Sequence, residues 1–94
     1  MEIVWRPIAL EDLEQARQYV AEHNPRAADR LWARILTAVQ RLAVLPGLGR
    51  PGRVEGTREL VVPRTPYIVA YTVIGNEVMI LSIIHSSRQW PDRF

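Results

Sequence analysis

Residues 57–88, TRELVVPRTPYIVAYTVIGNEVMILSIIHSSR, constrain the fold more than any other stretch of the chain. Three apolar runs, at 60–62, 67–73 and 78–84, are separated by a loop bounded by Pro63 and Pro66 and by the pair Gly75-Asn76. β-Branched and aromatic residues fit a pleated, half-buried surface, and a glycine followed by asparagine supplies the positive φ of a tight hairpin. The stretch therefore reads as a three-stranded antiparallel meander on which the preceding residues must pack.

Side chains alternate faces along a regular strand. That places Val78, Ile80 and Ile84 on one face of the last strand and Met79, Leu81 and Ile83 on the other. Both faces are apolar, whereas a small antiparallel sheet with helices on one side normally shows a polar second face. Two arrangements satisfy this: a partner covers the second face, or the strand coils enough to tuck both faces under the helices.

Ahead of the meander, residues 2–5 (EIVW) form a short run of strand character closed by Pro7, which reads as an edge strand. A helix is predicted over 8–22. Leu10, Leu13, Ala16 and Val20 recur at helical spacing, and Glu11, Asp12 and Glu14 lie early, where they complement the helix dipole. A second helix starts at the capping residue Asn24 with Pro25 in its first turn, and carries the stripe Ala28, Leu31, Trp32, Ile35, Val39, Leu42 before Pro46-Gly47 ends it. So short a connection makes the helices an antiparallel hairpin. Residues 48–56 (LGRPGRVEG) read as loop, and 86–94 (SSRQWPDRF) as a polar tail with Trp90 and Phe94 as anchors. The result is one α+β domain spanning 1–94 in the order β-α-α-β-β-β.

Composition narrows the function classes. The absence of cysteine excludes disulfide frameworks and thiolate metal sites, and no run approaches the roughly 18 apolar residues of a membrane span. Without a visible signal peptide, the expectation is a soluble, cytoplasmic protein with no membrane association. A chain of this length buries roughly 60 to 65% of its unfolded surface, so packing or association must hold it. No metal site and no cofactor motif is found: there is no H-E-x-x-H, and G-R-P-G-R lacks the lysine and helix of a phosphate cradle.

All twelve basic residues are arginine. Residues 1–47 balance six arginines with six acids, while residues 48–94 set six against four, so the net charge of +2 resides in the sheet half. Arg50, Arg53, Arg58, Arg64, Arg88 and Arg93 lie in the loops, strand ends and tail, where convergence on one rim would bind phosphates or an acidic partner; scattered solvated arginines are the alternative. His23 reads as a helix-end residue. His85, where the last strand runs out with Arg88 three residues later, is a candidate general acid or base.

The element order, the run GRPGRVEGTRELVV, the run YIVAY and the ending IIHSSRQWP together resemble the RelE/ParE family of toxins from bacterial toxin-antitoxin modules, over nearly the whole chain. The resemblance implies a growth-arresting protein neutralised by a cognate antitoxin wrapped on the helix hairpin and sheet, with Leu31, Ile35, Met79, Leu81 and Ile83 as expected contacts. It also implies assembly as a homodimer or a toxin-antitoxin hetero-oligomer. RelE-like members cleave mRNA on the ribosome with basic residues on the second and third strands, an arginine after the last strand and a C-terminal aromatic. At those positions this chain has Glu59, Val61 and Ile68, then Arg88 and Phe94, so only Arg88 matches cleanly. Attack of a ribose 2′-oxygen on phosphate needs proton acceptors, donors and cations that valine and isoleucine do not provide. ParE-like members keep the fold, lack the nuclease residues and poison DNA gyrase. The sequence resembles that branch better, with Arg50, Arg53, Arg58, Arg64, Arg88, Trp90 and Arg93 as the expected target-binding set. The alternative is a ribosome-dependent endoribonuclease whose catalytic residues are His85 and Arg88, acting on the ribosome and mRNA.

Overall fold

The computed structural model describes residues 1–88, 90–91 and 93–94. Strand β1 (Glu2–Trp5) leads into helix α1 (Pro7–Ala21), helix α2 (Pro25–Val44), the two-residue β2 (Arg50–Pro51), β3 (Arg58–Val61), β4 (Tyr67–Ile74) and β5 (Glu77–His85). The predicted meander is β3-β4-β5. The sheet is wider than the sequence indicated, with order β1-β5-β4-β3-β2: part of the expected loop adds β2 at one edge, and β1 pairs parallel with β5 at the other. β3 also begins earlier than the apolar run that signalled it, because Arg58 and Glu59 are strand residues whose polarity hid them.

Local chemistry accounts for the ends of the elements. The Asn24 side chain accepts from the Ala27 N–H at 3.1 Å, and Pro25 opens α2 with its φ already suitable. Between β4 and β5, Gly75 has φ 58 and Asn76 does not share the positive φ, the pattern of a type II′ hairpin.

The helix hairpin covers one sheet face. Leu13 and Ala16 of α1 and Leu31, Ile35, Val39 and Leu42 of α2 pack with Tyr67, Val69 and Tyr71 of β4 and Val78 and Ile80 of β5. Fully burying each aliphatic side chain of this kind contributes about 1.5–3 kcal/mol. The acidic residues of α1 do not sit in its first turn, and Asp12 is not a solvated partner of the dipole. It is buried in the apolar stripe, where its Oδ2 accepts from Ser82 Oγ at 2.6 Å and from the Ile83 N–H at 3.1 Å.

That contact lies at a break in the ladder. Ala70 pairs with Ser82 but Tyr71 pairs with Ile80, so Leu81 is an extra residue, a β-bulge. The bulge reverses the alternation expected for β5. Val78, Ile80 and Ile83 face the helices, while Met79, Leu81 and Ile84 face the other side, so Ile83 and Ile84 exchange the places that strict alternation assigns them. β1 ends at Trp5 opposite Ile80, which leaves the Ile83 N–H without a strand partner, and Asp12 satisfies it.

The second apolar face is covered from within the chain. Trp90 and Phe94 pack on Ala70, Leu81 and Ile84, with Met79 alongside. The tail thus anchors through the two aromatics that the sequence singled out.

Candidate functional site

The loop before β3 is shaped by close backbone approaches. A Cβ on Gly49 would lie 2.7 Å from Tyr71 Oη, 2.8 Å from Tyr71 Cε1 and 2.8 Å from the Glu59 carbonyl oxygen. Tyr71 Oη accepts from the Gly49 N–H at 2.8 Å and donates to the Pro46 carbonyl at 2.8 Å, tying the end of α2 to the sheet. Burial pushes the Tyr71 phenol above its ordinary value, opposed by the Gly49 hydrogen bond and the Arg58 charge. A Cβ on Gly52 would collide with Thr57. These contacts are the physical reason for two glycines in the GRPGR stretch.

Glu59 projects from β3 beneath this loop, on the same sheet face as Ala70, and is 2% exposed. Its carboxylate accepts from Arg50 Nη2 at 3.1 Å and from the Arg53 backbone N–H at 2.7 Å, with Arg53 Nε at 3.6 Å. The Arg53 guanidinium in turn lies 4.0 Å from the centroid of the Trp90 ring. Glu59 therefore organises Arg50, Arg53 and Trp90 into one corner of the second sheet face. Arg88 and Arg93 line a neighbouring cleft of about 480 Å³ with Arg6, Trp90 and Phe94.

Two members of the expected rim lie elsewhere. Arg58 is directed to the helix side, opposite Tyr71, where Nη1 donates to the Gly49 carbonyl at 2.8 Å. Arg64 occupies the β3–β4 turn with φ 63, and its carbonyl accepts from Arg34 Nη1 of α2 at 3.4 Å. Of the six arginines, Arg50 and Arg53 meet at Glu59 beside Trp90, Arg88 and Arg93 line the adjoining cleft with Trp90, and Arg58 and Arg64 lie elsewhere.

His85 is half-buried at the end of β5, edge-on to Tyr67 with ring centroids 5.3 Å apart. Its Nδ1 accepts from the Ser87 backbone N–H at 3.1 Å and lies 2.8 Å from Ser87 Oγ. An acceptor at Nδ1 leaves the proton of the neutral ring on Nε2. Burial and the neighbouring Tyr19 push the Tyr67 phenol upward. His85 shares the sheet face of its pairing partner Tyr67, whereas Glu59 shares that of Ala70, three residues along the same strand and hence on the opposite face. Val61 and Ile68 pair with each other on the Glu59 side. A carboxylate held by arginine and two aliphatic side chains therefore occupy the second face at these strand positions, and the imidazole lies behind them. Among the described residues, no cluster of three His, Cys, Asp or Glu side chains could hold a metal ion.

Of the residues expected to meet an antitoxin, Leu31, Ile35 and Ile83 lie in the helix–sheet core at 7%, 0% and 2% exposure, and no partner reaches them while that core is closed. The bulge turns Ile83 inward, and the α2 stripe that carries Leu31 and Ile35 packs on the sheet. Leu81 lies under the tail, and Met79 is half-buried beside it. The sequence signal for Asp12 as a structural residue is its place in an apolar stripe with Ala9, Leu13 and Ala16.

Residues 3–90 match the family described as ParE toxin of type II toxin-antitoxin system, parDE. The chain belongs to the ParE toxin family. It is 46% identical over 89 residues to putative toxin Y4kP of Sinorhizobium fredii, covering 95% of this chain and 92% of that one. It is 37% identical over 87 residues to toxin RelE2 of Caulobacter vibrioides, covering 93% and 97%. A solved structure described as the chromosomal ParDE TA system from P. aeruginosa superposes with a TM-score of 0.83 at 30% identity, covering 90% of this toxin and 95% of that chain. The toxin thus shares its α+β fold with a ParDE component as well as its sequence with named toxins. Among the described residues no helix is long and apolar enough to cross a membrane.

Proposed function

We propose that this ParE-family toxin arrests growth in the cytoplasm by binding DNA gyrase and trapping it on broken DNA, and that it has no nuclease chemistry of its own. The observation that carries the reading is the second sheet face: Glu59 is buried between Arg50 and Arg53, and Val61 and Ile68 occupy the strand positions where a nuclease needs cations and a base. Arg50, Arg53, Trp90, Arg88 and Arg93 are the contact residues favoured for the target: Glu59 holds Arg50 and Arg53, Arg53 stacks on Trp90, and Trp90 lines one cleft with Arg88 and Arg93. A cognate antitoxin is the expected neutralising partner, in keeping with the ParDE system that this fold matches.

A second reading, a ribosome-dependent endoribonuclease, draws on one observation. His85 and Arg88 line a common cleft of about 250 Å³ between α1 and β5, where an imidazole and a guanidinium could serve as acid and charge clamp. The deciding experiment incubates purified toxin with gyrase, ATP and supercoiled plasmid and measures linear DNA after the enzyme is denatured. The gyrase reading predicts linear DNA with both the parent protein and His85→Ala. No linear DNA from folded protein, together with mRNA cleavage on ribosomes that is lost in His85→Ala, would overturn it.

A further inference from the structure

A cleft runs from α1 across the end of β5 to α2, and three side chains form its waist. Tyr19, Tyr67 and His85 line both of its adjoining depressions, of about 250 and 240 Å³. Together these reach the size of small-ligand sites. Tyr67 is the unusual member. The residue is 8% exposed, and the hydrogen bonds at this position are made by its backbone. The phenol hydroxyl has no partner among the described residues, whereas buried polar groups are normally satisfied. Burial and Tyr19 keep the phenol protonated at neutral pH, so the hydroxyl is a donor. Packing does not require it, since phenylalanine would present the same ring to His85. His85 supplies a second donor, because Ser87 occupies Nδ1 and the proton of the neutral ring is left on Nε2.

The two ends of the cleft differ in charge. The α2 end carries Arg30, Arg34 and Arg64, with no carboxylate among the described residues that line it. Among the described residues these three arginines form no ion pair. Arg64 stands in a turn at φ 63, and Arg34 Nη1 donates to its carbonyl at 3.4 Å. The α1 end carries Asp12 and Gln15 beside Arg88. Asp12 Oδ2 is taken by Ser82 and the Ile83 N–H, which leaves Oδ1 as an acceptor. Between the ends, the Tyr19 ring is 65% exposed and offers a flat face for stacking. A ligand that matches this arrangement is anionic at one end, flat in its body, and carries a neutral hydrogen-bond donor at the other end.

We infer that this cleft binds a free nucleoside 5′-phosphate whose base carries an exocyclic amine. The phosphate lies among Arg30, Arg34 and Arg64, whose guanidinium forks match its oxygens. The Tyr67 hydroxyl and His85 Nε2–H donate to ribose and phosphate oxygens at the waist. The base stacks on Tyr19 and directs its amine edge to Asp12 and Gln15, the carboxylate accepting and the amide both donating and accepting. A continuous nucleic-acid backbone fits less well, since it needs cations along its length and Asp12 stands at one end. The inference goes beyond the gyrase reading and does not depend on it.

The test titrates purified toxin with AMP by calorimetry, with adenosine, inorganic phosphate and UMP, whose base has no exocyclic amine, as controls. Saturable binding of AMP is expected, with each control weaker by about ten-fold or more. Tyr67→Phe should weaken AMP binding about ten-fold while leaving the melting temperature unchanged or raised, a combination that a packing role for the hydroxyl would not produce. Tyr19→Ala, at an exposed side chain that folding does not need, should bring AMP down to the affinity of inorganic phosphate. Absence of AMP binding by folded protein, phosphate binding as tightly as AMP, or indifference of AMP to both substitutions would overturn the inference. So would a single-stranded oligonucleotide that binds more tightly than AMP and loses that binding in the same variants, since the ligand would then be a strand. Binding is read without gyrase, so its failure leaves the functional reading standing, and a failure of poisoning leaves the cleft proposal standing.

Discussion

Gly49→Ala tests the packing of the loop before β3 most directly. The added methyl would sit 2.7 Å from Tyr71 Oη and 2.8 Å from both Tyr71 Cε1 and the Glu59 carbonyl oxygen. Ordinary contacts lie near 3.5 Å, so the overlap is on the order of 0.7 Å against a packed ring and a strand backbone. Overpacking of this kind costs about 1–3 kcal/mol. If the Tyr71 ring withdraws, it also loses its hydrogen bonds to the Gly49 N–H and the Pro46 carbonyl, each worth about 1 kcal/mol. The expected total with the ring withdrawn is about 3–5 kcal/mol, a Tm decrease of roughly 15–25 °C for a domain of this size. Tyr71→Phe alone should cost about 1–3 kcal/mol, because it leaves the same two backbone groups without their partner. The double variant should be less destabilised than the sum by about 2 kcal/mol, since the two hydrogen bonds cannot be lost twice and the shortest contact disappears with the hydroxyl. Gly47→Ala, where a Cβ would meet nothing within 4 Å, serves as the neutral control. Urea and thermal melts followed by circular dichroism read all four proteins. A Gly49→Ala protein as stable as Gly47→Ala, or strictly additive losses in the double variant, would refute this account of the loop.

Alkaline pH should weaken the fold. Burial raises the Tyr71 and Tyr67 phenols in the folded state, so their contribution is fully present below about pH 10 and is lost as pH rises through the folded values. Thermal melts from pH 8 to 11, compared with tyrosinate absorbance, check this; ionisation of both phenols without loss of stability would count against it. Glu59→Gln should cost about 1–2 kcal/mol, below the usual figure for a broken buried pair because Arg50 and Arg53 are half-exposed and can return to water. It should also change tryptophan fluorescence as Arg53 leaves Trp90, and an unchanged spectrum would argue that Glu59 does not hold that corner. Trp90→Ala should uncover Leu81 and Ile84, increasing dye binding and self-association with little loss of helix signal. A variant that stays monomeric and binds no dye would show that the tail is not what covers this face.

Periodicity carried most of the fold. The α2 stripe, the Asn24-Pro25 start and the Gly75-Asn76 hairpin are local features, and residues close in sequence suffice to specify them. The resemblance to RelE/ParE toxins was likewise readable from short runs, and the match over residues 3–90 bears it out. Long-range geometry was not readable. Alternation has a period of two, so the single extra residue at Leu81 changed the face of everything after it, and nothing in the local sequence marks where a ladder slips. The bulge decided that Ile83 is core and Ile84 is not.

The arginines illustrate the same division. The sequence established their number, the absence of lysine and the excess in the second half. Only the folded chain sorted them, giving Arg50 and Arg53 to Glu59, Arg58 to the Gly49 carbonyl, and Arg34 and Arg64 to a shared groove. Charge is additive along a chain, but ion pairing depends on distances between residues far apart in sequence, and those distances exist only once the sheet and helices have packed.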